Sequence, residues 1–222
     1  MNSTESNRGS GRVIGIGVAI VAVAALAAYL LWPRGFDYVM VVGDSVTFLS
    51  GSQIEDEMGS DVSVEQIAVP GYTSSDLVDP VTLTIEARVR SGQQLERGVF
   101  LVGYNDVIRG DVETADLDRL MQQSARFDCA IWLTLPAEPS GAPAGSADFD
   151  PEEARRWNER LVELVGHYDG LHLVRTWEER VNGSDPGELL QPDGVHPNDA
   201  GRAALAEVMH EGLRDQCRPI NG

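Results

Sequence analysis

Residues 39–46 read Val-Met-Val-Val-Gly-Asp-Ser-Val. A continuous run of apolar, mostly β-branched residues that closes on a small residue is typical of a buried parallel strand. The next segment, Thr47 to Met58, has the pattern of a helix that ends before Gly59. Ser45 is therefore predicted where a strand becomes a helix, at the sheet edge where open α/β folds bind ligands. Because a serine there can also be a simple helix N-cap, the stretch needs partners elsewhere in the chain.

Other apolar runs predict the rest of a sheet. Strands are predicted at residues 36–42, 62–69, 99–102, 130–135 and 171–174. Helical patterns separate or follow them, at 47–58, at 74–91 with an interruption at Pro80, and at 116–127, 151–167 and 199–216. This alternation predicts one three-layer α/β/α domain, with a doubly wound, flavodoxin-like parallel sheet of five strands. Two segments without periodicity, 136–150 and 182–198, are predicted to be functional loops.

The N-terminal region has a different composition. Residues 13–32 carry no charge and are almost wholly Val, Ala, Ile, Leu and Gly, which predicts a transmembrane anchor long enough for a hydrocarbon core of about 30 Å. Residues 1–12 are predicted to be a disordered cytoplasmic tail and 33–37 a spacer. The remaining domain, 38–218, is then extracytoplasmic.

The orientation of this anchor follows from its flanking charges. Arg8 and Arg12 precede the apolar run, whereas Arg34 follows it with Asp37 close behind, so the positive-inside bias favours a cytoplasmic N-terminus. A cleaved signal peptide is the alternative, with residues 25–27 (Ala-Leu-Ala) as the cleavage site and a secreted product. The apolar run continues past that site, which favours the uncleaved anchor.

The overall charge argues against two kinds of partner. The formal net charge is −18, and all seventeen basic residues are arginine. Such an acidic surface argues against binding nucleic acid, which needs basic patches, and against docking on anionic membranes through charge.

The two cysteines are predicted to meet at one end of the domain. Cys129 stands just before the fourth predicted strand, at the amino edge of the sheet, and Cys217 follows the last predicted helix. That helix begins near the carboxyl edge and must run antiparallel to the strands, so its end returns to the amino edge. In an oxidising compartment the pair can form a disulfide, and two buried free thiols are the alternative.

A second motif supplies partners for the serine. Residues 191–198 read Gln-Pro-Asp-Gly-Val-His-Pro-Asn, which places Asp193 and His196 three residues apart on a turn-rich loop. A nucleophilic serine needs a base to take its proton, and that base needs a carboxylate to fix its tautomer. An Asp-x-x-His sequence alone is more often a turn or a cap.

Together the motifs resemble those of the SGNH (GDSL-type) hydrolases, a family of serine esterases, lipases and carbohydrate deacetylases. Four blocks follow one another in the family's order: Gly43–Ser45 (Gly-Asp-Ser), Gly71, Gly103–Asp106 (Gly-x-Asn-Asp) and Asp193–His196 (Asp-x-x-His). The resemblance covers about residues 38–214.

The resemblance implies a role for each matching residue. Ser45 is expected to be the nucleophile, His196 the base and Asp193 its orienting partner. The backbone N–H groups of Ser45 and Gly71 and the side chain of Asn105 are expected to form the oxyanion hole.

Smaller expectations concern six other residues. Tyr104 stands where many relatives have glycine, so it is expected to narrow the acyl pocket, and Tyr104 and Asp106 are expected to contact the substrate. Asp44 is expected to hydrogen-bond nearby backbone. The remaining histidines, 167, 172 and 210, are interpreted as structural or surface residues without partners.

The predicted function is hydrolysis of short acyl esters by a membrane-anchored enzyme through an acyl-enzyme on Ser45. The substrate is expected to be a small acyl ester or an acylated glycan, including O-acetyl groups on envelope carbohydrate. No metal or cofactor is expected, since no side-chain cluster has metal-ligand spacing. The alternatives are an O-acyltransferase that uses the same triad and a non-catalytic carbohydrate-binding module.

Overall fold

A computed structural model describes residues 37–114, 116–138, 149–185 and 187–217. Within them five strands form one parallel sheet in the order β2-β1-β3-β4-β5. The strands are β1 (Tyr38–Gly43), β2 (Ser63–Ala68), β3 (Arg97–Leu101), β4 (Cys129–Leu133) and β5 (Leu171–Val174). This is the flavodoxin-like order, whose switch point lies between β1 and β3 and places ligands above the carboxyl ends of these strands. The predicted sheet is confirmed.

Burial explains the strand patterns. Every residue of the central strand β1 is buried, as its continuous apolar run predicts. The edge strand β2 is only partly buried along its length, in agreement with its alternating sequence. The core therefore lies on both faces of the sheet, under the helices.

Eight α-helices surround the sheet in the described residues. They are α1 (Ser45–Leu49), α2 (Gly51–Met58), α3 (Ser74–Arg90), α4 (Tyr104–Arg109), α5 (Leu117–Ser124), α6 (Pro151–Val165), α7 (Thr176–Gly183) and α8 (Asp199–Gln216). A short 3-10 turn covers Val112–Thr114.

Two helix predictions were wrong in detail. The single helix predicted over 47–58 is two helices, which meet at Ser50, where the hydroxyl donates to the carbonyl of Val46. The predicted interruption at Pro80 does not occur, because α3 runs through it without ending. The buried face of α3, which includes Leu77, Val81 and Ile85, keeps this helix packed and outweighs the one backbone hydrogen bond that a proline cannot donate.

The cysteines form the predicted disulfide. Cys129 is the first residue of β4 and Cys217 caps the end of α8, with their Cα atoms 5.6 Å apart. Both side chains are buried. The antiparallel return of the last helix to the amino edge of the sheet is therefore confirmed.

One histidine prediction was wrong. His210 does have a partner, since its Nδ1 lies 3.1 Å from Oε1 of Glu57 and so joins α8 to α2. The sequence separation of 153 residues hid this pair.

The predicted anchor at 13–32, the tail at 1–12 and most of the spacer at 33–37 lie outside the described residues. In the part of the chain that is described, no helix combines the length and apolar character that crossing a membrane requires.

Candidate active site

Ser45 is the first residue of α1 and follows the sharp end of β1. A side chain at Gly43 would collide with Thr47 and would approach the carbonyl oxygen of Leu101 to 2.7 Å, so only glycine lets the chain turn here. Asp44 then caps α1, since its Oδ1 accepts the N–H of Val46 at 3.0 Å. This confirms the predicted backbone hydrogen bond of Asp44. The turn leaves Ser45 partly exposed at the carboxyl edge of the sheet.

Ser45, His196 and Asp193 form a continuous hydrogen-bonded chain. His196 Nε2 lies 2.9 Å from Ser45 Oγ, and His196 Nδ1 lies 2.8 Å from Asp193 Oδ2. Because an ionised carboxylate only accepts, Nδ1 carries the ring proton and Nε2 accepts the hydrogen bond of the serine hydroxyl. This arrangement prepares the hydroxyl for proton removal. The structure thus brings together two motifs that are 151 residues apart.

The loop that carries His196 is held from within. Asp193 Oδ1 accepts the backbone N–H groups of Val195 and His196, each at 2.9 Å. Burial acts to raise the pKa of Asp193, but these two N–H groups and the His196 side chain outweigh it and lower the pKa below its usual value. Asp193 is therefore ionised at neutral pH and fixes the histidine tautomer.

Asn198 anchors the other end of this loop. Its Oδ1 accepts the N–H of Gly201 at 3.0 Å and so caps α8, while its Nδ2 donates to backbone carbonyls between residues 187 and 190. One side chain thus ties the catalytic loop to the start of the last helix.

Gly71 lies in a tight turn beside the end of β1. The N–H of Val69 donates to the carbonyl of Gly43 at 3.2 Å, and the N–H of Tyr72 donates back to Val69 at 3.2 Å. Pro70 and Gly71 are the central residues of this turn, and Gly71 has φ +83°, the positive value that a type II turn requires at this position. The turn therefore needs glycine for its backbone conformation. It lies at the sheet edge that carries Ser45.

Asn105 contacts the same turn. It is the second residue of α4, and its Nδ2 donates to the carbonyl of Tyr72 at 2.9 Å. An amide nitrogen has two hydrogens, so one remains for a ligand. Asn105 and Gly71 belong to separate sequence blocks, and this hydrogen bond brings the two segments that carry them into contact.

The two predicted substrate contacts are corrected by the structure. Tyr104 is buried, and its hydroxyl accepts the indole N–H of Trp177 at 2.9 Å, so it points into the core and not toward an acyl pocket. Asp106 is fully buried and accepts both the N–H of Ser74 at 2.9 Å and its hydroxyl at 2.6 Å. Neither side chain is available to a substrate. Both positions serve the scaffold because the helix α4, missed from the sequence, turns them inward.

Asp44 combines full burial with incomplete hydrogen bonding. Its Oδ2 has no hydrogen-bond partner among the described residues. Burial raises the pKa of Asp44 to about 7, and the neighbouring carboxylate of Asp106 also raises it. The hydrogen bond from the Val46 N–H lowers the pKa, but by less. A carboxyl group that is half protonated near neutral pH therefore lies directly before the nucleophile.

We expect this group to make folding stability depend on pH. The unfolded carboxyl ionises near an ordinary value of about 3.9, whereas the folded one ionises at about 7, so between them the folded state holds a proton that the unfolded state has lost. The free energy of unfolding should then fall by as much as about 4 kcal/mol as the pH rises through this window.

Urea unfolding at pH 5 and pH 8 measures the part of this fall above pH 5, about 3 kcal/mol. The Asp44→Asn variant keeps an oxygen to accept the Val46 N–H but cannot ionise, so its stability should change less between the two pH values. Equal changes in the two proteins would contradict the assignment.

Comparison with known proteins agrees with this geometry. The model of the GDSL-like lipase/acylhydrolase family matches residues 41–204, which is well over half of the chain and includes every residue of the site described above. Comparison with curated protein sequences gives no match.

Several solved structures share the fold. A lipase/acylhydrolase from Enterococcus faecalis is 16% identical with a TM-score of 0.60, over 80% of this chain and 95% of its own. The esterase EstA from Pseudoalteromonas sp. is 15% identical with a TM-score of 0.60, over 82% and 98%. The catalytic domain of peptidoglycan O-acetyltransferase A from Streptococcus pneumoniae is 15% identical with a TM-score of 0.59, over 82% and 96%.

The family match confirms the resemblance inferred from the four sequence blocks. At sequence identities this low, the solved structures support a shared fold and nothing more. The activity is inferred from the family match. The chain belongs to the GDSL-like lipase/acylhydrolase family and is a serine hydrolase that acts on ester bonds.

Proposed function

We propose that this protein is a membrane-anchored, extracytoplasmic esterase that removes short acyl groups, with O-acetylated envelope carbohydrate as its substrate class. The observation that carries the proposal is the hydrogen-bonded chain from Ser45 Oγ to His196 Nε2, 2.9 Å, and from His196 Nδ1 to Asp193 Oδ2, 2.8 Å. Nucleophile, base and orienting carboxylate are all present at hydrogen-bond distance.

The reaction has two steps. Ser45 Oγ bonds to the acyl carbon as His196 Nε2 takes the hydroxyl proton, and that proton passes to the leaving alkoxide when the ester C–O bond breaks. Water then gives a proton to His196 and attacks the acyl carbon, which releases the acid and returns the proton to Ser45. Asp193 stabilises the charged imidazole in both steps.

Negative charge develops on the acyl oxygen in each step. The N–H groups of Ser45 and Gly71 and the free amide hydrogen of Asn105 are proposed to bind this oxygen. Removing one such donor typically costs about 10²–10³-fold in kcat.

Two surface properties support an uncharged substrate with a ring or a short acyl chain. The chain has a net charge of −18, which disfavours approach to anionic lipid headgroups. Phe48, 55% exposed, lies one helical turn beyond Ser45, and Tyr72, also exposed, directly follows Gly71. Exposed aromatic side chains beside a nucleophile offer flat apolar contacts to a sugar ring or an acyl group.

Acyl transfer to a sugar hydroxyl is the second candidate. The fold is shared with a peptidoglycan O-acetyltransferase domain, and the same acyl-enzyme can be attacked by a hydroxyl in place of water. Measuring free acetate and acetylated acceptor in one reaction separates the two outcomes.

The proposed function is tested with the full-length protein in detergent. A fluorophosphonate probe should label Ser45, and acetate should be released from an acetylated glycan much faster than a long-chain acid from a palmitoyl ester. Labelling at another serine would refute the nucleophile, and a preference for the palmitoyl ester would refute the substrate class.

The anchor leads to a separate prediction. Residues 13–32 lie outside the described residues, so the support for the anchor is their apolar composition. We expect the full-length protein to stay in the membrane fraction after carbonate washing and a protein that begins at Arg34 to be soluble. Recovery of a mature N-terminus at Ala28 would instead show a cleaved signal peptide.

A further inference from the structure

Three side chains of the short helix α4 hold the Gly71 turn and the segment that follows it. Asn105 donates to the carbonyl of Tyr72, and Asp106 accepts the N–H and hydroxyl of Ser74. Arg109, at the end of the same helix, donates from Nη2 to the carbonyl oxygen of Gly71 at 2.7 Å. The first two residues belong to the Gly-x-Asn-Asp block, whereas Arg109 lies outside all four sequence blocks.

Arg109 is itself held in place by a carboxylate. Its Nη1 lies 3.9 Å from Oδ2 of Asp76, the residue that completes the capping box of α3 with Thr73. Hydrogen bonds from Thr73 lower the pKa of Asp76, and the charge of Arg109 contributes in the same direction. Asp76 is therefore ionised, and the guanidinium lies between a fixed carboxylate and the Gly71 carbonyl, where a charge-assisted hydrogen bond is strong.

The Gly71 turn needs such a restraint. Glycine has wide conformational freedom, and a side chain at position 71 would contact nothing within 4 Å, so packing does not fix this residue. Within the described residues the Gly71 N–H donates no hydrogen bond, whereas the flanking N–H groups of Val69 and Tyr72 both do. The donor that the proposed oxyanion hole requires thus lies in the least restrained peptide of the turn.

We propose that Arg109 is a positioning residue for the oxyanion hole. By binding the Gly71 carbonyl it holds the Gly71–Tyr72 peptide. This restricts rotation about the Gly71 backbone, and so it limits the movement of the preceding Pro70–Gly71 peptide, whose N–H is the proposed donor to the acyl oxygen. The inference rests on the proposed function, because it assigns Arg109 to the donor set around Ser45. Misplacing a donor by about 1 Å weakens stabilisation of the transition state without removing the substrate from its site.

The test compares two Arg109 variants with a matched control. Arg119 is the control because it is similarly exposed, 57% against 51%, and also pairs with a carboxylate of α3, Asp79, at 4.0 Å. Kinetics on p-nitrophenyl acetate are measured for the full-length Arg109→Gln, Arg109→Lys and Arg119→Gln proteins, with thermal melts of each.

We expect Arg109→Gln to lower kcat about 10- to 100-fold with KM within about twofold, which is less than the loss of a direct donor. Fluorophosphonate labelling should slow by a similar factor, since the phosphonyl oxygen uses the same donors. Arg109→Lys should recover at least about a third of kcat, because an ammonium can still donate to one carbonyl. Arg119→Gln should keep the wild-type kcat.

Three outcomes would overturn the inference. They are an unchanged kcat in Arg109→Gln, whether or not KM rises, a lysine variant as slow as the glutamine variant, and an equal loss in Arg119→Gln. If Ser45→Ala is inactive while Arg109→Gln is fully active, only the role of Arg109 fails. A fully active Ser45→Ala protein would refute the proposed function and this inference together.

Discussion

We expect the Ser45→Ala variant to lose kcat by about 10⁴-fold or more on short esters while its melting temperature stays within a few degrees of the wild type. Removing the nucleophile of a hydrogen-bonded triad leaves only the contribution of binding and of the oxyanion donors. The hydroxyl makes its hydrogen bond to the catalytic histidine and none to the core, so the fold does not depend on it.

A neighbouring serine provides the control. Ser52 lies in α2 a few residues beyond the nucleophile, and its exposed hydroxyl donates to the side chain of Gln53. Ser52→Ala should therefore be fully active. Undiminished hydrolysis by Ser45→Ala, measured as acetate release with the purified protein, would end the assignment of the nucleophile.

The centre of the sheet was predictable because the central strand β1 is buried on both faces. Val39 to Val42 must be apolar whichever side they face, so the run is continuous and its end at Gly43 is visible in the sequence. The fifth strand, Leu171–Val174, and the last helix, Asp199–Gln216, were predicted with their observed bounds. Both are preceded by residues that mark turns, Gly170 before the strand and Pro197 with Asn198 before the helix.

Short helices were less predictable. Helices α4 and α7 have six and eight residues, too few for an amphipathic period to show against the surrounding turns. Missing α4 had a consequence for the site, because its helical geometry turns Tyr104 and Asp106 away from the surface on which a substrate would lie. Their roles were inferred from motif position, and a motif does not show which way a side chain points.

The triad could be predicted because Ser45 directly follows a visible strand, and Asp193 and His196 lie three residues apart in one short motif just before the last helix. Arg109 could not, because its partner is a backbone carbonyl 38 residues away, and a carbonyl leaves no mark in the sequence. The pair of His210 and Glu57 was missed for a related reason, since side chains from distant elements meet only once the helices are packed.

The second large predicted effect is the loss of stability when the disulfide is removed. Cys129 and Cys217 are 88 residues apart, so their bond closes a long loop and restricts the unfolded chain. On the chain-entropy model such a closure is worth about 4 kcal/mol, which is roughly 10 °C in melting temperature for a domain of this size. The bond also holds the end of α8 at the first residue of β4, where Arg97 donates to the carbonyl of Cys217 at 3.2 Å.

Because Cys129 begins β4 and Ser45 follows the end of β1, the disulfide and the nucleophile lie at opposite edges of the sheet. We therefore expect the double variant Cys129→Ala and Cys217→Ala, or the wild type in reductant, to melt about 10 °C lower with an unchanged initial rate at 20 °C. Reductant should not shift the melting temperature of the double variant. Two thiols that alkylate in the denatured, non-reduced wild type would show that the bond is absent. An initial rate at 20 °C that falls together with the melting temperature would show that the catalytic loop depends on the bond.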